Sequence, residues 1–208
     1  MTSTNATATT ATTTIAATST ATAAIGRIAA LLLWLALAVA GALAAAPGRA
    51  LAATTDVVGQ GDTVSGREVL ALCNAERAAR GVAPLAWDEG LEVLAMQRAC
   101  EQSLAYGHAR PSGLDWSTVL WCTGTAWWGA AAENVACNQT TAAQVSADLS
   151  ASAAHLANMV SPAYTRFACA RFTDAQGRTF WAELFTAACC PVTGAVPFSG
   201  AVVAQVEL

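Results

Sequence analysis

The chain has 208 residues, of which 55% are hydrophobic and only 12% are charged; ten arginines, with no lysine, and 14 acidic residues give a net charge of −4. A soluble domain usually carries about a quarter charged residues, so this composition excludes disorder over most of the length. The acidic balance provides no basic field for a phosphate backbone, which excludes nucleic acid as an expected partner.

Residues 1–52 are predicted to be a Thr/Ala-rich leader followed by a signal peptide. An unbroken apolar run covers residues 28–46, and Ala50-Leu51-Ala52 has the small-x-small pattern of a cleavage site. We therefore expect the chain to be exported and to begin near Ala53 after cleavage. The alternative is an uncleaved run, which is long enough to span a bilayer and would anchor the domain outside the cell. That segment is the only predicted connection to a membrane.

Beyond the leader, the sequence predicts one acidic domain. Residues 53–64 are interpreted as a short linker, residues 65–190 as the folded domain and residues 191–208 as a C-terminal extension. A chain of this length is enough for a single hydrophobic core. No internal repeat is visible.

All seven cysteines lie after the leader. Export places them in an oxidising compartment, so three disulfides and one remaining thiol are predicted. Cys122 and Cys137 bracket a loop and are the favoured pair. Cys189 and Cys190 are neighbours that would close only a strained ring with each other, so at least one should reach elsewhere.

The first two helices are predicted from their start signals and apolar spacing. Ser65-x-x-Glu68 forms a capping box ahead of a helix that ends at Gly81. Asp88 can cap a second helix, whose periodic pattern continues to about Tyr106.

Two further helices and a hairpin follow. Thr141-x-x-Gln144 predicts a third helix, and Ser152 can cap a short fourth one that Pro162 stops. Residues 131–136 are strand-like, residues 167–173 and 179–185 read as an antiparallel hairpin, and residues 201–206 as an extra strand. Helices followed by a terminal hairpin indicate an α+β layered fold.

Three polar residues are candidates for chemistry. The chain has only two histidines, His108 and His155, and Glu133 stands inside an otherwise apolar segment. A lone histidine is more often structural than catalytic, and a buried glutamate needs a partner, so a mutually satisfied hydrogen-bond network is an open alternative. The sequence has no Gly-x-Ser-x-Gly elbow, and without lysine it holds no phosphate-binding Gly-x-x-x-x-Gly-Lys loop.

Seven motifs occur in a characteristic order. They are Leu72-Cys-Asn74-x-Glu76-Arg77, Gly81-Val-x-Pro84-Leu85-x-Trp87-Asp88, Arg98-Ala99-x-Glu101, His108-x-Arg110-Pro111-x-Gly113, Glu133-Asn134-Val135-Ala136, Ser152-x-x-His155-x-x-Asn158-Met159 and Phe180-Trp181-x-Glu-x-Phe185. Over about residues 66 to 186 the chain resembles the CAP superfamily of cysteine-rich secretory, antigen 5 and pathogenesis-related 1 proteins. It is most similar to the compact form typical of secreted bacterial members.

The resemblance implies an α+β fold, a three-layer α-β-α sandwich with a small antiparallel sheet. It also implies a groove lined by His108, Glu133, His155, Asn158 and Ser152. A divalent metal such as zinc is implied as a cofactor, with the two histidines and Glu133 as its ligands. The chain departs from the family pattern in lacking the strand histidine, because Phe180-Trp181-Ala182-Glu183 stands in its place.

Three functions remain open at this point. The resemblance favours a secreted, non-enzymatic module that binds a small apolar ligand, such as a lipid or sterol, or an extracellular protein in the groove. A metal-dependent hydrolase or protease is the second function, and a structural protein of the cell surface is the third. An enzyme would need a metal-activated water and a nearby general base, and no spacing in the sequence is diagnostic of that pair.

Overall fold

A computed structural model describes residues 53–121, 128–190 and 199–208. The predicted leader, with its apolar run and cleavage site, lies outside these residues, and so does Cys122 of the favoured disulfide. Among the described residues, no helix has the length and apolar character needed to cross a membrane.

Six strands, four α-helices and one 3-10 helix make up the described chain. In order they are β1 (Thr54–Asp62), α1 (Val64–Ala79), β2 (Ala86–Trp87), α2 (Glu89–Gln102), the 3-10 helix (Trp116–Leu120), β3 (Ala131–Cys137), α3 (Ala142–Ala151), α4 (Ala153–Met159), β4 (Arg166–Asp174), β5 (Thr179–Thr186) and β6 (Ser199–Glu207).

The strands form one sheet in the order β3-β5-β4-β1-β6, with antiparallel neighbours, and the short β2 pairs in parallel with β4. One hydrophobic cluster joins the sheet to α2 and the 3-10 helix, and a second joins it to α1, α3 and α4. This arrangement confirms the predicted α+β fold and its three α-β-α layers.

The central strands are apolar on both faces because helices cover both. In β5, which is buried throughout, Ala182 and Leu184 pack toward α2, whereas Trp181 and Phe185 pack toward α1 and α3. Gly66 allows α1 to approach β4 closely, since a Cβ atom there would lie 1.9 Å from the carbonyl oxygen of Cys169.

The helix starts are confirmed at two of the four predicted caps. The Asp88 carboxylate accepts from the Leu91 amide, and the Thr141 hydroxyl accepts from the Gln144 amide. The capping box at Ser65 is wrong, because Ser65 lies inside α1, and its amide and hydroxyl both donate to the Asp62 carboxylate. Ser152 occupies the N-cap of α4 without a capping side-chain hydrogen bond.

The predicted end of α2 near Tyr106 is also wrong. The helix ends at Gln102, whose side chain both accepts from the Gly107 amide and donates to the Gly107 carbonyl. Gly107 has a φ of +136°, a conformation that glycine adopts readily. These two hydrogen bonds turn the chain out of the helix and present residue 108 beside the sheet.

The predicted linker at 53–64 is corrected to a strand. β1 pairs with β6 over all nine residues of each and with part of β4. The linker interpretation failed because the segment has no regular apolar alternation and no aromatic residue, so its local pattern does not indicate a strand. The extra strand predicted in the C-terminal extension is confirmed as β6, which covers residues 199–207 instead of 201–206.

The three predicted disulfides are not confirmed. Cys73, Cys100 and Cys169 are buried free thiols, which leaves too few cysteines for three bridges. Burial raises the pKa of Cys73 and of Cys100 to about 12, and it also raises the pKa of Cys169 well above the usual value of a thiol. These thiols pack as small apolar side chains, and their neutral state makes them poor nucleophiles.

Candidate functional site

A histidine–glutamate pair lies where the chain leaves α2. The Nδ1 atom of His108 is 2.9 Å from the Oε2 atom of Glu133, which is buried on the edge strand β3. The imidazole itself is 55% exposed. A carboxylate at Nδ1 favours a proton on that nitrogen, so Nε2 is left to accept a hydrogen bond from solvent or a ligand.

The Glu133 carboxylate is also bound by a fully buried arginine. The Arg98 guanidinium donates from Nε to Oε1 over 2.6 Å and from Nη2 to Oε2 over 3.3 Å. Nη2 donates as well to the Gly107 carbonyl over 3.0 Å. Arg98 therefore ties α2, β3 and the turn that carries His108 together with charge-assisted hydrogen bonds.

A second buried carboxylate completes the charge balance of this network. Glu101 accepts from Arg98 Nη1 over 2.5 Å and from Arg110 Nη2 over 2.6 Å. Burial would raise the pKa of Glu101, but the hydrogen bonds from Arg110, Gln97 and Arg98 outweigh it and lower that pKa. Two arginines thus neutralise two glutamates beneath His108.

The opposite face of β3 carries a different polar cluster. The Asn134 amide donates to Glu183 Oε2 over 2.8 Å and to the His155 carbonyl over 3.2 Å, and its oxygen accepts from Asn158 over 2.9 Å. These bonds fasten α4 to the sheet. Glu183 is fully buried, its Oε1 atom has no partner among the described residues, and burial raises its pKa to about 7.

The structure brings only some of the predicted groove residues into contact with one another. His108 and Glu133 are in direct contact, and Asn158 reaches the Glu133 carbonyl at 3.4 Å as well as Asn134. His155 is half-buried, and its pKa is lowered by burial and by the charge of His108. Ser152 is at the start of α4. A single groove shared by all five residues stays a prediction.

The residues do not fit the metal site that the resemblance implied. Both Glu133 oxygens accept hydrogen bonds from Arg98, and a cation there would compete with the guanidinium. Within residues 53–121, 128–190 and 199–208, no group of three or more His, Cys, Asp or Glu side chains is arranged to hold a metal ion.

Sequence analysis missed an open surface cavity of about 250 Å³ between α1 and α3, in which Leu72 and the lining alanines are exposed to solvent. It is lined by Leu72, Ala75, Glu76, Ala143, Ser146, Ala147 and Ser150. The hydroxyl of Ser146 is buried, and no partner for it is found in the described chain. Small residues at helical spacing on α3 were the available signal, because they leave room between two packed helices.

Comparison with known proteins gives one family match. The model of the cysteine-rich secretory protein family, abbreviated CAP, matches residues 70–189. No protein with a curated description matches the sequence.

Several solved structures share the fold at low sequence identity. An extracellular protein containing an SCP domain from Bacillus anthracis is 17% identical with a TM-score of 0.53, covering 60% of this chain and 41% of its own length. An outer surface protein from Borrelia burgdorferi is 14% identical with a TM-score of 0.53, covering 65% and 98%. A cysteine-rich secretory protein from Staphylococcus aureus is 13% identical with a TM-score of 0.50, covering 61% and 39%. The chain thus spans less than half of the Bacillus and Staphylococcus proteins.

Proposed function

The chain belongs to the cysteine-rich secretory protein (CAP) family, and on that premise we propose that it is a non-enzymatic module that binds a small apolar ligand outside the cell. Its structural neighbours include an extracellular protein and an outer surface protein, which supports the location. The observation that carries the binding function is the cavity between α1 and α3.

The cavity suits a ligand that is mostly apolar with one hydrogen-bonding group. Leu72 and three alanines supply apolar walls, and Glu76 and Ser150 supply polar atoms at the lining. Ligand pockets typically enclose roughly 300–1,000 Å³. A volume of about 250 Å³ fits a small ligand or the apolar part of a larger one, such as a section of an acyl chain.

The surface around His108 is suited to polar recognition. The exposed Nε2 edge of the imidazole can bond a polar group of a ligand or of a protein partner, while Glu133 and Arg98 hold the ring in place. Hydrolysis is less well supported: Nε2 of His108 has a lone pair that could serve a general base, but the described residues offer no group of side chains to hold a metal ion that would activate a water.

Filling the cavity tests the proposal. Ala147→Phe places a ring between α1 and α3, so we expect it to weaken binding of a fluorescent fatty acid by about tenfold or more, since the ring occupies the ligand's volume. Binding is measured by titration of the purified protein, with thermal melting to show that the variant is folded.

Ala175→Phe is the matched control, because Ala175 is exposed in the turn between β4 and β5 and does not line the cavity. It should bind the fatty acid as the parent chain does. Equal affinities for the parent and Ala147→Phe, or no binding by the parent, would contradict the proposed site.

Removing the Ser146 hydroxyl should stabilise the ligand-free protein. A buried hydroxyl without a partner costs about 1–3 kcal/mol. We therefore expect Ser146→Ala to raise the free energy of unfolding by about 1 kcal/mol, measured by urea denaturation. A loss of stability would show that the hydroxyl has a bonding partner in solution.

A further inference from the structure

The two strands outside the family match form an extension of the sheet. β1 and β6 both lie outside residues 70–189, and they pair with each other along nine residues. β1 then joins the sheet through β4. The extension therefore makes β6 the edge of the sheet on this side, whereas β3 is the other edge.

The edge at β3 is closed by side chains. Three of its carbonyls accept hydrogen bonds from other elements: Ala131 from the Tyr164 hydroxyl (3.5 Å), Glu133 from the Asn158 amide (3.4 Å) and Val135 from the Tyr106 hydroxyl (3.5 Å). Since these are alternate residues of one strand, they face the same side of β3. Such contacts protect an edge against pairing with another strand.

Among the described residues, the edge at β6 is left open along most of its length. The amide of Leu208 donates to the carbonyl of Ala53, so the even-numbered residues of β6 bond to β1 and the odd-numbered ones direct their backbone groups outward. In the described chain, only Gln97 bonds one of these groups, the Gln205 carbonyl at 3.4 Å. Residues 199–206 contain no charge and no proline, the usual protections of an exposed edge.

Exposed valines accompany this edge. Val203 of β6 is 67% exposed and lies opposite Val58 of β1, which is 59% exposed. Since Val57, Val202 and Ala204 pack in the cluster with α2, Val58 and Val203 lie on the other face of the sheet. An uncovered backbone edge and an exposed pair of valines therefore lie side by side.

We propose that β6 pairs with β6 of a second copy of this chain, antiparallel and centred on Val203. This is the register in which all nine residues of both strands pair, and it brings outward backbone groups opposite each other. It places Glu207 opposite Ser199 of the partner and Val203 opposite itself, so no like charges meet even though the chain is acidic. Because residues 199–206 carry no charge, two copies of this acidic chain can approach along β6 without repulsion between the paired residues, which favours a second copy as the occupant.

The dimer should be weak. Stable interfaces generally bury more than about 1,000 Å², and one pair of nine-residue edges contributes less than that. We therefore expect a monomer–dimer equilibrium with a dissociation constant in the micromolar range, observed by sedimentation of the full chain over a series of concentrations.

Charge placed at the symmetry axis tests the interface. Val203→Lys sets two like charges opposite each other and should weaken dimerisation about tenfold or more. Thr54→Lys adds the same charge on the same sheet face, but on β1 and opposite Glu207, so it should change the dissociation constant much less. A parent chain that stays monomeric at all concentrations, or a dimer that Val203→Lys leaves unchanged, overturns the proposal.

Cross-linking tests the register independently of fold stability. Val203→Cys places two thiols opposite each other across the axis, so mild oxidation should give a disulfide-linked dimer beyond the level seen with the parent chain. Ala201→Cys exposes a thiol on the same edge, but its partner residue is Gln205, so it should cross-link much less. Equal cross-linking of the two variants would overturn the proposed register. If an added peptide of unrelated sequence displaced the second copy and prevented the cross-link, the edge would be assigned to that peptide and self-pairing would be overturned.

Discussion

Replacing Arg98 with methionine is expected to lower the free energy of unfolding by about 3–5 kcal/mol, the range measured when one partner of a buried ion pair is removed. Methionine keeps much of the apolar volume of the side chain but removes the guanidinium. Glu133 would then lose two hydrogen bonds and Glu101 one, and both carboxylates are buried. The loss is measured by urea denaturation at neutral pH.

Arg80→Met is the matched control. Arg80 forms an ion pair with Glu76 on the exposed side of α1, and such pairs contribute about 0–1 kcal/mol because solvent screens them. A loss at Arg98 no larger than the loss at Arg80 would show that the buried network does not hold α2 against β3. The same experiment reports on His108, since Arg98 also fixes the Gly107 carbonyl next to it.

The local sequence was sufficient where one signal dominated. Asp88 and Thr141 cap their helices as predicted. A side-chain oxygen directly before an apolar periodic run lies within reach of the unpaired amides of the first helical turn. The hairpin of β4 and β5 was predicted from its aromatic content and from Gly177, which adopts a φ of +79° in the connecting turn.

Long-range pairing was not predictable from local pattern. β1 has an ordinary mixed composition, and it becomes a strand because β6, some 140 residues later in the chain, pairs with it. The capping box at Ser65 failed for a similar reason. Asp62 ends β1, and its carboxylate accepts from the Ser65 amide and hydroxyl, so the helix begins before Ser65 and the Ser65 side chain does not cap it.

For the candidate site, the resemblance supplied the pair and the fold supplied its surroundings. His108 and Glu133 meet as a family motif implies, but Arg98 had no role in the sequence interpretation, although it stood in a quoted motif. Its effect on Glu133 depends on α2 and β3 lying face to face. The burial of Glu183 was also not predictable from the sequence. A glutamate in a strand is expected to face solvent, and only the fold shows that helices cover both faces of β5.

Glu183 gives the prediction with the clearest dependence on pH. Burial raises its pKa from the usual 4.5 to about 7, because the charged form loses its hydration and gains only one hydrogen bond, from Asn134. The neighbouring thiols of Cys73 and Cys169 provide no compensating positive charge. Arg77, on the same helix as Cys73, directs its donors to the carbonyls of residues 83, 159, 161 and 164.

The sign of the stability change follows from linkage. The folded protein holds the proton of Glu183 more tightly than the unfolded chain does, so this group favours folding fully below about pH 4.5 and progressively less as the pH rises to about 7. The difference between the two pKa values corresponds to about 3 kcal/mol. Carboxylates with lowered pKa values, such as Glu101 and Asp174, act in the opposite direction as the pH falls.

Because those opposing groups are common to parent and variant, the informative quantity is the difference between parent and Glu183→Gln. Glutamine cannot ionise, and its oxygen can still accept from Asn134, so the variant should gain up to about 3 kcal/mol over the parent between pH 5 and pH 8. Urea denaturation at several pH values in that range measures the gain. Glu68→Gln, the same change at an exposed position of α1, should follow the parent's profile. If the profiles of Glu183→Gln and the parent ran parallel, Glu183 would not titrate in this range, and a partner for its Oε1 atom would have to exist in solution.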